Sequence, residues 1–219
     1  MVDSKAWNWD IVNGNHKLYW QEPAIESHWL IYRWLSQDKK DFLDLGCGLG
    51  RHTIQFAKAG FNSFGFDLSE TSIKRTKEYA KKAGVKVDLL VGDMLSLPYD
   101  DGCFDCIYCR NVISHTDTAG MKKIVKELKR VLRKDGECYL TLGSKKTWGF
   151  QQDWPVVDEN TKIRVEDGPE NGIPHFYADY DLIVELFKDF EIVTIFQVED
   201  YFTKKQTISS FHYHVLVRK

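Results

Sequence analysis

The chain of 219 residues reads as an α/β three-layer sandwich built on a mostly parallel sheet of seven strands, the last of them antiparallel. Three observations carry this. Short apolar runs alternate with segments of helical period from residue 41 to residue 142. Glycine or a capping residue stands at most changes of period. Two final apolar runs follow one another with no helical pattern between them, and a parallel crossover would need about a dozen or more residues. Strands interleaved with helices in this way form a parallel sheet covered on both faces.

The elements follow in order. Residues 1–40 hold five of the seven tryptophans, Trp7, Trp9, Trp20, Trp29 and Trp34. From Pro23 to Leu35 the apolar residues Ile25, Trp29, Leu30, Trp34 and Leu35 recur at helical spacing, with Glu22 and Glu26 near the positive helix start. This segment predicts a helical lid whose aromatic face docks on the main body. Asp41 to Leu45 is the first strand, Arg51 to Ala59 a helix ended by Gly60, and Phe61 to Phe66 the second strand. Ser69 caps a helix from Glu70 to Ala83, which Gly84 ends. Val85 to Val91 and Phe104 to Cys109 are the third and fourth strands. Ala119 to Arg133 is a helix that turns Ile124, Leu128, Val131 and Leu132 inward, and Glu137 to Leu142 is the fifth strand. Asp179 to Phe187 is the last helix, and Phe190 to Val198 and Phe211 to Val217 are the final strand pair.

One domain spans 1–219, with 1–40 as lid, 41–143 as cofactor-binding core, 144–178 as substrate cap or loop, and 179–219 as final helix and strand pair. The cap segment breaks the alternation and carries Trp148, Trp154 and three of the five prolines, which is long for a plain connection. Surface scaling buries about 70% of the unfolded chain's surface at this size, so neither disulfides nor a metal are needed to hold a core. Thirty basic against 32 acidic residues exclude a protein that grips phosphates by its overall field. No run approaches 18 apolar residues, and the first residues lack the layout of a secretory signal. Five cysteines give no secreted disulfide framework. A cytoplasmic protein is the expectation.

The turn Asp44-Leu45-Gly46-Cys47-Gly48-Leu49-Gly50-Arg51 follows the first strand, where ligands of open α/β sheets bind. Alternate glycines let the backbone turn tightly and approach a ligand without a Cβ in the way. A dinucleotide turn spaces its glycines G-x-G-x-x-G. Here the spacing is G-x-G-x-G, and Arg51 stands where the third dinucleotide glycine would be. Asp44, just before the turn, would repel a pyrophosphate and attract an ammonium or sulfonium group. Asp67 ends the second strand, where a carboxylate accepts from ribose hydroxyls. Asp93, after the third strand in Gly92-Asp93-Met94, is placed to accept from an adenine amino group or to act as a turn residue.

Through Asp44 to Gly50, Phe66-Asp67-Leu68-Ser69, Gly92-Asp93-Met94 and Phe104-Asp105-Cys106-Ile107-Tyr108, the chain resembles the class I S-adenosylmethionine-dependent methyltransferases, near the group that acts on small molecules. The resemblance covers residues 40–143 and fits the reversed last strand. It implies a Rossmann-like fold and S-adenosyl-L-methionine as cofactor. By it, the turn with Asp44, Gly46, Cys47, Gly48, Gly50 and Arg51 holds the methionine part, Asp67 and Leu68 the ribose, and Asp93 with Met94 the adenine. Arg110 and Asn111, after the fourth strand, belong beside the transferable methyl. The rival readings are a non-catalytic S-adenosylmethionine- or S-adenosylhomocysteine-binding protein and, against the glycine spacing, an NAD(P)-binding oxidoreductase.

Transfer from a sulfonium is an in-line displacement that alignment and desolvation accelerate, and a base is needed only where the acceptor carries a proton that must leave. The segment Cys109 to His115 lacks the Asn/Asp-Pro-Pro-aromatic motif of some amino-group methylating members. His115 and His175 are the candidate bases, with pocket lining or local hydrogen bonding as the plainer role for each. Trp20, Trp148, His175 and Phe176 are the candidate acceptor contacts in a closed apolar pocket. No metal site is expected. Cys103, Cys106 and Cys109 alternate faces about a strand and read as buried free thiols, and His212 and His214 as structural or pocket-lining. Lys122, Lys123, Lys126, Lys129 and Arg130 form a solvated helix face. The partners expected are a small molecule, not nucleic acid or membrane, with a monomer or homodimer as the assembly.

Overall fold

The computed structural model describes residues 2–12, 20–201 and 209–219. Residues 13–19 of the expected lid and 202–208 between the last two strands lie outside them. Five parallel strands, β1 (Asp41–Leu45), β2 (Asn62–Asp67), β3 (Asp88–Val91), β4 (Phe104–Cys109) and β5 (Leu132–Ser144), are followed by β9 (Glu191–Tyr201) and β10 (Ser209–Arg218). They lie in the order β3-β2-β1-β4-β5, with β10 antiparallel to both β5 and β9. Helices α1 (Ile25–Leu35), α2 (Arg51–Lys58), α3 (Glu70–Ala83), α4 (Thr118–Val131), the short α5 (Trp148–Gln151) and α6 (Tyr180–Leu186) complete the chain. Bounds agree with the sequence reading to within a few residues, because the caps stand where expected. The Ser69 hydroxyl accepts from Ser72 N–H, and Gly84 ends α3 in the left-handed conformation at φ 69°.

The alternation of strand side chains divides the core in two. Leu43, Leu45, Ile107 and Cys109 face one apolar cluster, with Ile124, Leu128 and Val131 of α4. Phe42, Cys106, Tyr108, Tyr139 and Leu216 face the other, with Leu30 and Trp34 of α1. Both faces of the sheet are therefore buried, as a parallel sheet requires. Phe42 and Phe56 stack at 3.8 Å between ring centroids.

Three expectations need correction. The sheet among the described residues has ten strands, not seven. The extra three, β6 (Val156–Asp158), β7 (Thr161–Ile163) and β8 (Pro174–Ala178), form an antiparallel meander in the segment expected to be an irregular cap. β8 joins the main sheet in parallel at Gly143↔Tyr177 and Ser144↔Ala178. Two of these strands are only three residues long, too short to show a period.

The second correction concerns the lid. Helix α1 does not turn its whole apolar set inward: Leu30 and Trp34 are fully buried, whereas Ile25 is 89% exposed and Trp29 45%. Its inward face is Ser27, Leu30 and Trp34, packed on the sheet. The part of the N-terminal region that covers the site is not this helix but Trp7, Trp20 and the 3-10 turn Trp9–Ile11. Third, of the five free cysteines Cys103 is only half-buried, because it precedes β4 rather than lying in it.

Candidate active site

The glycine turn lies between β1 and α2 at the carboxyl end of the sheet. Gly46, Gly48 and Gly50 have φ of 76°, 54° and 78°, the region where a Cβ is strained. Gly48 additionally leaves room for a neighbour, since a Cβ there would stand 2.8 Å from the Trp9 indole. The Phe66 carbonyl accepts from Gly46 N–H at 2.7 Å and Cys47 N–H at 3.1 Å, which binds the turn to the end of β2. One oxygen of Asp67 accepts from Gly48 N–H and the other from Ser69 N–H, each at 2.9 Å. Asp67 thus ties the turn to the next loop, and each oxygen keeps a further lone pair for a ligand.

Asp44 is buried and accepts from Thr53 N–H at 2.8 Å and Thr53 Oγ1–H at 2.6 Å. Burial raises its pKa to about 6 despite these bonds, and burial also raises Asp67. Asp93 accepts from Leu95 N–H at 2.8 Å. Asp44, Asp67 and Asp93 all line one pocket with Cys47, Leu68 and Met94. Gly46, Gly48, Arg51, Arg110 and Asn111 line it as well. Of the residues expected to hold the cofactor, only Gly50 stays outside that wall. It caps α2, and a Cβ there would strike Thr76. Arg51 donates to the Glu22 carbonyl at 3.0 Å and lies over the Trp20 ring.

Asn111, two residues past the end of β4, sits in the left-handed region at φ 56°, which its short amide tolerates. Thr141 fixes it, accepting from Asn111 N–H at 2.8 Å and donating to Asn111 Oδ1 at 2.9 Å. Arg110 donates to Glu26 of α1 at 2.6 Å, and Tyr108 donates to the same carboxylate. Burial works against ionised Glu26, but the Arg110 charge holds it below the usual carboxylate range.

A second cavity of about 650 Å³ adjoins the first, a size suited to a small molecule. Trp148, Trp154, Phe176 and Tyr177 furnish its aromatic wall, and His212 and His214 its floor on β10. Trp7, Trp20, Arg110, Asn111, His115 and Glu170 line both compartments. The expected acceptor contacts Trp20, Trp148, His175 and Phe176 therefore share one cavity.

The two candidate bases meet. The rings of His115 and His175 lie edge to face at 4.9 Å, and both point Nε2 at the Glu170 carboxylate, at 3.8 and 3.6 Å. Burial, reinforced by the neighbouring His175, lowers His115 to about 4, so it is neutral near pH 7. Burial disfavours ionised Glu170, but the histidines and Arg164 outweigh it and bring its pKa to about 2. Glu170 and Arg164 were not singled out in the sequence, whereas Trp7 and Trp9 were named only as part of the lid. The signal for Glu170 lay in its turn, Pro169-Glu170-Asn171-Gly172-Ile173-Pro174-His175, which folds a carboxylate back on the histidine.

With this geometry in view, residues 42–136 match the model of a methyltransferase domain family. That stretch, a little under half of the chain, is similar to a methyltransferase domain. Norajmaline N-methyltransferase of Rauvolfia serpentina is 38% identical over 104 residues, covering 46% of this chain and 35% of that enzyme. A S-adenosylmethionine-dependent methyltransferase of Methanosarcina mazei superposes with a TM-score of 0.74 at 22% identity, covering 90% of this chain and 98% of that one. The cyclase SpnF superposes at 0.66 with 18% identity, over 100% of this chain and 87% of its own. The chain spans less than half the length of the curated relatives it matches. The fold is thus the Rossmann-like fold of these enzymes, and no helix among the described residues is long and apolar enough to cross a membrane.

S-adenosylmethionine is named in the description of the Methanosarcina mazei structure, and the residues lining this pocket fit such a group. Buried Asp44 and half-buried Asp67, both with raised pKa values, are relieved by a cationic ligand. The buried indole N–H of Trp7, at the junction of the compartments, has no hydrogen-bond partner. Phe66, Met94 and Val112 supply apolar walls for a flat ring system.

Proposed function

We propose that this chain transfers a methyl group from S-adenosylmethionine to a small-molecule acceptor held in the aromatic cavity. The observation that carries the reading is the junction of the two compartments at Asn111 and His115, where a methyl leaving the cofactor side meets an acceptor on the other. Asp67 holds the ribose hydroxyls, Asp93 and Met94 the adenine, and the turn from Asp44 to Arg51 the methionine part. The cofactor supplies an electrophilic methyl on a good leaving group, and the chain supplies alignment and a dry site.

Trp148, Trp154 and Phe176 clasp the acceptor's apolar surface, and His115 and His175 face its reacting group. Where that group carries a proton, the histidine pair with Glu170 receives it. The lid residues Trp7 and Trp9 and the cap close the two compartments from water. Incubation with methyl-labelled S-adenosylmethionine and a metabolite extract tests the reading. Label passing into a small molecule supports it, and absence of transfer by a chain that binds the cofactor overturns it in favour of a binding protein.

A further inference from the structure

The trio His115, Glu170 and His175 is fixed by backbone bonds on all sides. Phe176 N–H donates to the Ser114 carbonyl at 2.7 Å, so the residues next to the two histidines are tied together. Gly172 N–H donates to the Arg164 carbonyl at 2.7 Å, and Ile173 N–H to the Glu170 carbonyl at 3.0 Å, which closes the turn that presents Glu170. The site is therefore built before any ligand arrives.

The histidine tautomer decides what the trio can hold. His175 Nδ1 lies 3.0 Å from the Ile173 carbonyl. A carbonyl only accepts, so Nδ1 carries the proton and Nε2 of the neutral ring presents a lone pair. That lone pair faces a Glu170 oxygen at 3.6 Å, and His115 Nε2 faces the other oxygen at 3.8 Å. Both spacings are too long for hydrogen bonds. They are close to the roughly 3.4 Å that separates ligand atoms about a tetrahedral ion with bonds of about 2.1 Å. All the ligand atoms of the trio lie within 4.8 Å of one another. A backbone carbonyl on the far ring nitrogen is also the usual support of a metal-bound histidine, and Arg164 holds one Glu170 oxygen in the same manner.

We infer that His115, Glu170 and His175 form a binding site for a divalent first-row transition metal ion, with its open position turned to the acceptor cavity. Two imidazoles and one carboxylate suit zinc or iron(II) and leave room for an outer ligand. The ligand class follows: a flat apolar molecule bearing an oxygen ligand such as a hydroxyl, its body between Trp148 and Trp154 and its oxygen on the ion. This specifies the acceptor and so rests on the methyl-transfer reading, with the histidines as ligands in place of bases. Binding of the ion itself does not depend on that reading.

The test is calorimetric titration of the full, untagged, chelator-treated chain with zinc sulfate, alongside the visible spectrum of the cobalt(II)-loaded chain. One ion per chain is expected, with affinity at least tenfold weaker in H115A, H175A and E170Q. Circular dichroism and S-adenosylmethionine binding report whether each variant is folded, and E170Q preserves the shape of the turn. Absence of a one-to-one site, or equal affinity in H115A and H175A, overturns the proposal, the latter by placing the ion elsewhere, as on the cysteines. Label transfer by the ion-replete chain judges the methyl-transfer reading separately. A chain without an ion site still transfers label if that reading holds.

Discussion

Glu137 of β5 receives the side chains of Arg33 and Arg218 on one carboxylate, Arg33 at 2.7 and 2.8 Å and Arg218 at 3.0 and 3.2 Å. The Trp34 indole N–H donates to it as well at 2.9 Å. One buried carboxylate thus joins the N-terminal helix to the last strand. Burial opposes its ionisation, but the hydrogen bonds from Arg33, Arg218 and Trp34 hold its pKa below the usual range. Such a group contributes stability above the unfolded-state value near 4.5 and loses it as pH falls through the folded-state value. Glu137→Ala takes this carboxylate from two guanidinium groups, of which Arg218 keeps Glu191, and is expected to cost about 3 kcal/mol, read by urea unfolding at pH 7. The loss shrinks as the pH is lowered.

Asp44 titrates in the opposite sense. Its pKa of about 6 in the folded chain lies above the ordinary 3.8, so its contribution to stability is complete below pH 3.8 and lost as pH rises toward 6. Asp44→Asn removes that loss. Melting temperatures of variant and parent are expected to diverge in favour of the variant between those limits and stay parallel above them. The ionised form attracts the cationic cofactor, so the parent's affinity for S-adenosylmethionine rises with pH and levels off above about 6. The same titration on Asp44→Asn is expected to be flat. A pH-independent parent would separate Asp44 from the cofactor.

The tryptophan lid is accessible to a kinetic measurement. Trp9 lies against Gly48, and its carbonyl is held by Arg75 at 2.8 Å. Trp7, Trp9 and Trp20 pack edge to face, with ring centroids 4.4 to 5.9 Å apart. Trp9→Ala opens this cover, and stopped-flow release of S-adenosylhomocysteine is expected to quicken about tenfold, equivalent to about 1.4 kcal/mol. Unchanged release would assign the cluster to folding alone.

The acceptor side yields a separate expectation. His175→Ala is expected to lower label transfer at least tenfold while the Kd for S-adenosylmethionine stays within twofold. A parallel loss of cofactor affinity, measured on the same preparation, would place His175 in the cofactor compartment instead.

The parallel core was legible because each strand, cap and turn there follows a local rule. Gly84 and Ser69 mark the ends of α3, and the G-x-G-x-G turn separates itself from a dinucleotide turn by spacing alone. Three strand-end carboxylates were visible as a set. The cap was less legible because β6 and β7 are stabilised by pairing across Val156↔Lys162 rather than by their own pattern. Helix α1 misled because Ile25 and Trp29 keep helical spacing yet lie exposed. His115 and His175 were each visible. Their meeting with Glu170 was not, since it depends on the backbone bond from Phe176 to Ser114, a contact between loop and strand that no periodicity records.

The most direct test is calorimetric titration of the chain with S-adenosylmethionine and S-adenosylhomocysteine, repeated on Asp67→Ala. Micromolar binding of both is expected, weakened at least tenfold, or about 1.4 kcal/mol, in the variant. Failure of the folded parent to bind either ligand, or equal affinity in the variant, would contradict the assignment of this pocket.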